Sequence, residues 1–303
     1  MVISKHKKYV SSGKLIQKIT PYTYLSPVLI LLLVLMAVPI TMVIWYSFMD
    51  NVIMNKSPQF IGFKNYSAVL SDTVFIVALK NTAMFIASSV VAHMIIGLFF
   101  AILLNTKLLP NWLLTIFRTL FVLPWLLTVA IIAVLWRLIL NPNGIANYLL
   151  VTLGIIDQKQ EWLSDPSTAL IALCIINIWA GYPFFMISLL AGLQGIPSQL
   201  YEAAQVDGAG PFRQLISITI PQLKPILISM ALLDVIWTSQ QFALIWMTTG
   251  GGPIDKTEVL PTYTYKLAFS SYHFSTASAS AVIILFLSMM LAALYVRHQK
   301  ASN

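Results

Sequence analysis

Six long apolar segments constrain the fold of this chain more than any other feature of its sequence. A helix that crosses the hydrocarbon core of a membrane needs about 20 predominantly apolar residues. The segments of that length are Tyr24–Phe48, Asn81–Leu104, Thr119–Leu140, Thr168–Leu190, Ile226–Met247 and Ala277–Tyr295. None of them alternates apolar and polar residues as membrane strands do. Because backbone polar groups in lipid must pair within their own segment, the sequence predicts an all-α membrane protein with six transmembrane helices.

The composition agrees with a chain that lies mostly in lipid. Of the 303 residues, 58% are hydrophobic and only 9% are charged, whereas soluble domains carry about 25% charged residues. The formal net charge of +8 does not indicate nucleic-acid binding, since the cations lie at the ends of apolar segments rather than in a patch with aromatic residues. The one cysteine, Cys174, lies inside an apolar segment, which excludes a disulfide framework.

The distribution of lysine and arginine predicts the orientation. Membrane proteins carry an excess of these residues on the cytoplasmic side. One side of the predicted bundle holds eleven of them against two acids, and the other side holds seven cations and seven acids. The eleven are Lys5, Lys7, Lys8, Lys14, Lys18, Lys107, Arg118, Arg213, Lys224, Arg297 and Lys300. Both termini are therefore predicted to be cytoplasmic, with residues 1–22 and 297–303 as tails and 23–296 as the six-span domain.

The longest predicted cytoplasmic connection, residues 194–225, contains signals for two short helices. Ser198 is a suitable N-cap for the first helix, and Gly208 suits the left-handed residue that ends it. Pro211 is favourable at the start of the second helix, and Pro221 is expected to break that helix before span five. The sequence thus predicts a cytoplasmic helix–turn–helix. On composition alone, this could be an ordinary amphipathic surface helix.

The spacing inside this loop is more specific. The residues that carry it are Glu202, Ala203, Ala204, Gly208, Ile218, Ile220 and Pro221. They resemble the signature loop of the permeases of binding-protein-dependent ABC importers, with Ile220 where that pattern usually has Leu. The segments 62–66, 162–166 and 249–253 extend the resemblance to sugar-importer permeases of the maltose, multiple-sugar and glycerol-phosphate type. They favour the first of the two permeases that such systems pair.

The resemblance implies that the loop docks into a groove of a cytoplasmic ATPase. Glu202 would make a charge-assisted contact there, while Ala203 and Ala204 would allow close approach. Asp207, Gly208 and Pro221 complete the predicted ATPase-coupling residues. The chain has no phosphate-binding Gly-x-x-x-x-Gly-Lys-Ser/Thr loop, so no cofactor is expected on it. ATP and Mg²⁺ would bind to two partner ATPase subunits, which would work with a second homologous permease and an extracytoplasmic substrate-binding protein in a bacterial inner membrane.

Polar residues inside two spans predict a substrate pathway. In span five, Asp234, Trp237, Thr238 and Gln241 share one helical face, with Gln240 beside them. In span four, Asn177, Gly181 and Phe184 share another face. Amides, hydroxyls and a carboxylate can bind the hydroxyls of a sugar, and aromatic rings can pack on its apolar faces. The alternative interpretation is that these residues hold the helices to one another.

Several functions stay open at this point. The predicted cavity-facing spans offer no Lys or Arg, which favours a neutral sugar over an anionic saccharide or a glycerol phosphate ester. An ion-coupled secondary transporter is a further alternative, but a proton relay through Asp234 needs a second ionisable group, which the spans are not expected to offer. Four scattered histidines and one cysteine predict no metal site. No catalytic arrangement indicates an enzyme.

Overall fold

The computed structural model describes residues 10–106 and 108–302, and this part of the chain is helical apart from its connections. An isolated bridge pairs Met49 with Phe60. The helices are α1 (Val10–Leu32), α2 (Val38–Tyr46), α3 (Lys64–Ser71), α4 (Thr73–Leu104), α5 (Asn111–Leu126), α6 (Val129–Ile139), α7 (Ile145–Thr152), α8 (Ala169–Gln194), α9 (Ser198–Val206), α10 (Pro211–Gln214), α11 (Ile220–Ser239), α12 (Ala243–Thr248), α13 (Leu260–Phe269) and α14 (Phe274–Ser302). Two π-helical turns, Leu33–Ala37 and Leu215–Thr219, join α1 to α2 and α10 to α11.

The predicted spans are present, but the third differs in form. Five helical stretches in the described chain are long and apolar enough to cross a membrane: Thr20–Tyr46, Thr73–Leu104, Ala169–Gln194, Pro211–Ser239 and Phe274–Arg297. The sixth candidate is the pair α5 and α6, which meet at an angle of 98°. The predicted span Thr119–Leu140 therefore contains two helices joined at a bend, not one continuous helix.

The break in span three has a local cause. Pro124 lies inside the last turn of α5, which ends at Leu126. The two residues that follow the helix, Leu127 and Thr128, have extended backbone. Thr128 then begins α6, where its hydroxyl oxygen accepts a hydrogen bond from the Ile131 N–H at 3.5 Å. Extended residues followed by a side-chain cap end one helix and start another in a new direction.

Span five begins and ends earlier than the predicted Ile226–Met247, since its helical stretch runs from Pro211 to Ser239. The α11 helix ends at Ser239, and α12 starts again at Ala243 after an irregular segment. At the other end of the chain, α1 starts at Val10, inside the predicted tail 1–22. Residues 1–9, Lys107 and Asn303 lie outside the described residues, and so do the lysines that the prediction of orientation placed there.

The α4 and α8 helices form the centre of the bundle. Phe85 from α4 and Phe185 and Leu189 from α8 are almost fully buried. Gly97 permits the close contact, because a Cβ at this position would lie 2.4 Å from the Phe185 Cβ. The α11 helix contacts both α4 and α8, so these three helices supply a fixed frame for polar side chains in the interior.

Candidate functional site

The predicted helix–turn–helix is present at one end of the bundle, as α9 and α10. Gly208 has a φ of +74°, the left-handed conformation that was predicted for the residue ending α9. Pro211 occupies the first turn of α10, also as predicted. Ser198 is the first residue of α9, and Pro197 holds the N-cap position without a side-chain hydrogen bond, so the prediction of a Ser198 cap was wrong.

Pro221 does not break the second helix. The α10 helix, the π-helical turn and α11 run without interruption from Pro211 to Ser239. The π-helical turn explains this, because the Ile220 N–H bonds to the Leu215 carbonyl five residues back. Pro221 then lies in the first turn of α11, where proline is tolerated. The predicted separation between the coupling loop and span five therefore does not exist.

The coupling segment, defined here as residues 198–214, is fixed to the bundle at its back and exposed at its front. The Tyr201 and Thr219 hydroxyls bond to each other at 2.9 Å and join α9 to the helix that continues into α11. Inside the segment, the Gln214 side-chain amide donates to the Ala209 carbonyl at 2.8 Å and holds the turn. On the front, Glu202 is exposed and makes no ion pair within the described residues. Phe212 is 74% exposed. This charged and apolar front suits a protein partner.

Most of the other predicted coupling residues are also exposed to solvent. Ala203, Asp207, Gly208 and Pro221 are exposed, and Ala204 is half-buried. None of them contributes to the buried core of the described chain. Pro221 lies outside the segment, in the first turn of α11.

A cavity of about 260 Å³ lies between the spans where the predicted polar faces meet. Its lining combines residues from α4, the break between α5 and α6, α8 and α11. The lining residues are His93, Pro124, Trp125, Leu127, Val129, Ile132, Asn177, Ala180, Gly181, Asp234, Trp237, Thr238 and Gln241. The structure therefore brings six of the eight predicted pathway residues into one cavity, together with the break in span three.

The two remaining pathway residues are placed differently. Phe184 lies beside the cavity, where its ring centroid is 5.2 Å from that of Trp237 and 6.0 Å from that of Trp125. The three rings form an aromatic group at the cavity edge. Gln240 is the C-cap residue that follows α11, and it is not among the residues that line the cavity.

His93, on α4, is the main residue that sequence reasoning missed. Its Nδ1 lies 2.7 Å from Asp234 Oδ2, and its Nε2 lies 3.1 Å from the backbone carbonyl oxygen of Asn177. The expectation that the spans offer no second ionisable group beside Asp234 is therefore wrong. The signal was present, since an ionisable residue in the middle of an apolar span is rare and functionally informative.

The amides of the cavity are only partly satisfied. Asn177 Oδ1 lies 3.4 Å from Gln241 Nε2, a long hydrogen bond. Asn177 Nδ2 is buried and has no hydrogen-bond partner among the described residues. An unpaired buried donor costs free energy, and a hydroxyl placed in the cavity could satisfy it.

Near the N-terminal end of α4, the glycine-rich segment 249–253 after span five forms a backbone turn. Gly250 and Gly251 have φ values of +63° and +88°, and Gly251 lies directly against the buried carboxylate of Glu258. Glu258 pairs with Lys266, and the Asn81 amide donates to the Glu258 carbonyl at 2.9 Å. These contacts fix the turn against α4. The segment is a backbone turn.

A membrane bundle with an interior polar cavity and an exposed helical segment at one end defines a membrane transport subunit. The sequence profile of one family, described as "Binding-protein-dependent transport system inner membrane component", matches residues 93–301. The chain belongs to this family of ABC importer permeases. This confirms the family predicted from the loop spacing and shows that the chain is a transport subunit, not an enzyme.

Individual relatives match over nearly their whole length. The chain is 34% identical to the probable ABC transporter permease protein YurN of Bacillus subtilis, over 94% of this chain and 98% of YurN. It is 35% identical to the trehalose/maltose transport system permease protein MalF of Thermococcus litoralis, over 91% of this chain and 92% of MalF. A crystal structure of a bacterial alginate ABC transporter has a chain with a TM-score of 0.81 at 23% identity, which covers 94% of this chain and 95% of that one. This last match confirms the fold.

Proposed function

We propose that this chain moves a sugar or oligosaccharide across the bacterial inner membrane by alternating access, as one permease of an ATP-driven importer. The cavity between the spans carries the proposal. It combines an aromatic group, Trp125, Phe184 and Trp237, with an unpaired amide donor on Asn177. Aromatic faces and convergent polar groups are the means by which proteins bind sugars. The printed name of a relative, a trehalose/maltose permease, supports the same class.

The charges of the cavity favour an uncharged substrate. No Lys or Arg is among the described residues that line it. A strongly anionic saccharide or a glycerol phosphate ester would therefore enter without a counter-charge, and burying an unpaired charge is costly. A neutral saccharide needs only hydrogen bonds and ring contacts, which the lining supplies.

The coupling segment supplies the connection to the energy source. We infer that Glu202 and its exposed neighbours dock onto one of two cytoplasmic ATPase subunits, which bind ATP and Mg²⁺. A second homologous permease would complete the pathway, and an extracytoplasmic binding protein would deliver the sugar. With the segment on the cytoplasmic side, both termini are cytoplasmic, and the tails 1–22 and 297–303 flank the six-span domain.

Reconstitution of the complete transporter tests this proposal. Vesicles that contain both permeases and both ATPases, with the binding protein outside, are given trehalose, maltose or a galacturonate disaccharide. We expect uptake of a neutral disaccharide that requires ATP and persists when proton and sodium gradients are collapsed. Uptake without ATP would refute the energy source, and uptake restricted to the galacturonate would refute the neutral class.

A further inference from the structure

The His93–Asp234 pair in the cavity carries an inference about substrate selection. His93 is 2% exposed and Asp234 is 7% exposed. They come from different spans, α4 and α11, and meet at 2.7 Å between Nδ1 and Oδ2. Both line the cavity, so the electrical state of this pair is part of the surface that a substrate contacts.

The backbone carbonyl of Asn177, which contacts the His93 ring, determines where the protons of the His93–Asp234 pair lie. A backbone carbonyl oxygen can only accept a hydrogen bond, so the contact between His93 Nε2 and the Asn177 carbonyl requires a proton on Nε2. The remaining ring nitrogen, Nδ1, then shares one proton with the Asp234 carboxyl. Whether this proton lies nearer the nitrogen or the oxygen, the pair has a net charge of zero.

The surroundings add no other charge. Asp234 Oδ1 accepts a hydrogen bond from the Thr238 hydroxyl at 3.2 Å, and the nearby amides belong to Asn177 and Gln241. Among the described residues that line the cavity, His93 and Asp234 are the titratable ones. The cavity is therefore polar but electrically neutral because of His93, since Asp234 without it would be a lone buried acid.

We propose that His93 is a specificity-determining residue, which neutralises Asp234 so that the pathway accepts uncharged saccharides and rejects charged ones. The inference rests on the proposed function and deepens it. A substrate with an amine finds no free carboxylate, because His93 already occupies Asp234. A substrate with a carboxylate finds no free cation for the same reason. Hydroxyls can still bind the unpaired Asn177 amide and the remaining lone pair of Asp234 Oδ1.

Matched probes test this in the complete reconstituted transporter. Trehalose and trehalosamine differ by one amine in place of one hydroxyl, and the retention of each by the binding protein is measured separately. We expect the wild type to prefer trehalose. In the His93→Gln variant Asp234 holds this proton itself, and the amine of trehalosamine can take the proton up to form the ion pair that His93 formed. The preference should therefore fall by about tenfold or more, since a buried charge pair is favoured over its separated members.

Two further variants separate specificity from packing. The double variant His93→Gln/Asp234→Asn has neither group and should regain the preference for trehalose. Asp234→Asn alone should also keep it, because it removes the acid that an amine could bind. A lost preference in this variant would overturn the proposal even if His93→Gln does not assemble. A pair that serves only to hold helices together would instead lower uptake of both probes equally, and that outcome would overturn the proposal.

An infrared measurement tests the role of His93 without any sugar. In the purified complex of the His93→Gln variant, Asp234 should take up a proton and show a carboxylic-acid C=O band that the double variant lacks. Absence of that band would mean that another group compensates Asp234 and would overturn the inference. If the wild type takes up neither probe, the saccharide part of the proposed function fails for this disaccharide, and the infrared result still decides the role of His93.

Discussion

Single residues in the interior decide how the cavity is built. Gly181 lies against the imidazole of His93, so that the ring can reach both Asn177 and Asp234. A Cβ at Gly181 would lie 2.4 Å from His93 Nε2, closer than any two such atoms can approach. The absence of a side chain at this position is therefore a condition for the hydrogen bonds of His93.

Gly181→Ala should displace the imidazole and break its contact with the Asn177 carbonyl. We expect the assembled transporter to lose about 1–3 kcal/mol of stability, measured by thermal unfolding in detergent. The matched control is Gly195→Ala, where the nearest atom to a new Cβ is 3.4 Å away and little change is expected. Equal melting temperatures for both variants would contradict the role given to Gly181.

Gln241 and Gln240 are neighbours in sequence but differ in placement. Gln241 lines the cavity and Gln240 does not, so the two residues form a natural pair for substitution. Gln241→Leu should lower sugar uptake by roughly three- to tenfold, the value of one hydrogen bond, while the complex stays assembled on size exclusion. Gln240→Leu should change uptake less. The opposite order would remove Gln241 from the pathway.

At the scale of helices, the coupling segment is the element with the clearest exposed surface. Its back is fixed by the Tyr201–Thr219 contact, its turn is held by the Gln214 amide, and its front presents Glu202 without an ion-pair partner in the described chain. The segment can therefore bind a partner without first rearranging. Its turn depends on a backbone conformation that few residues other than glycine adopt.

Glu202→Lys should uncouple uptake from ATP hydrolysis, because it places a cation against the basic ATPase residue expected there. Reconstituted uptake is expected to fall by about tenfold or more, as the loss of a charge-assisted contact predicts, while the affinity of the binding protein for its sugar stays unchanged. The control is Glu161→Lys, on another loop. Normal uptake and normal ATPase assembly in Glu202→Lys would refute the docking role.

Gly208→Asp should distort the turn between α9 and α10, because the φ of +74° costs about 1–2 kcal/mol for a residue with a Cβ. We expect weaker ATPase assembly, measured by co-purification of the subunits. Gly210→Ala provides the comparison, since Gly210 has a φ of −68° and open space around its Cβ position. If both variants assemble equally well, the turn geometry does not matter for docking.

The helices and turns of this chain show which structural features the apolar pattern and the turn residues of a sequence can predict. Span existence and the turn at Gly208 follow from local rules, and both were predicted. The bend after Leu126 and the continuous helix through Pro221 were not predicted. Both depend on which carbonyl each backbone N–H bonds to, and the hydropathy of the sequence carries no information about that. The His93–Asp234 contact joins residues 141 positions apart, and only the packing of α4 against α11 brings them together.

At the scale of the whole molecule, the chain is a pathway without a motor of its own. Its sequence holds no phosphate-binding loop for a nucleotide, and its family depends on a binding protein. Reconstituted alone in vesicles, it should not accumulate sugar against a gradient, and adding the partner subunits with ATP should restore accumulation. Concentrative uptake by this chain alone, measured with labelled trehalose, would contradict the assignment of the energy source.

The uninterrupted helix from Pro211 to Ser239 has a mechanical consequence. Pro211 starts this helix at the coupling segment, and Asp234 forms part of the cavity wall, at a separation along the axis of about 35 Å. Under the proposed docking, a displacement of Pro211 by the ATPase is transmitted along this continuous helix to the cavity wall. The π-helical turn Leu215–Thr219 is the place along that path where the helix can bend.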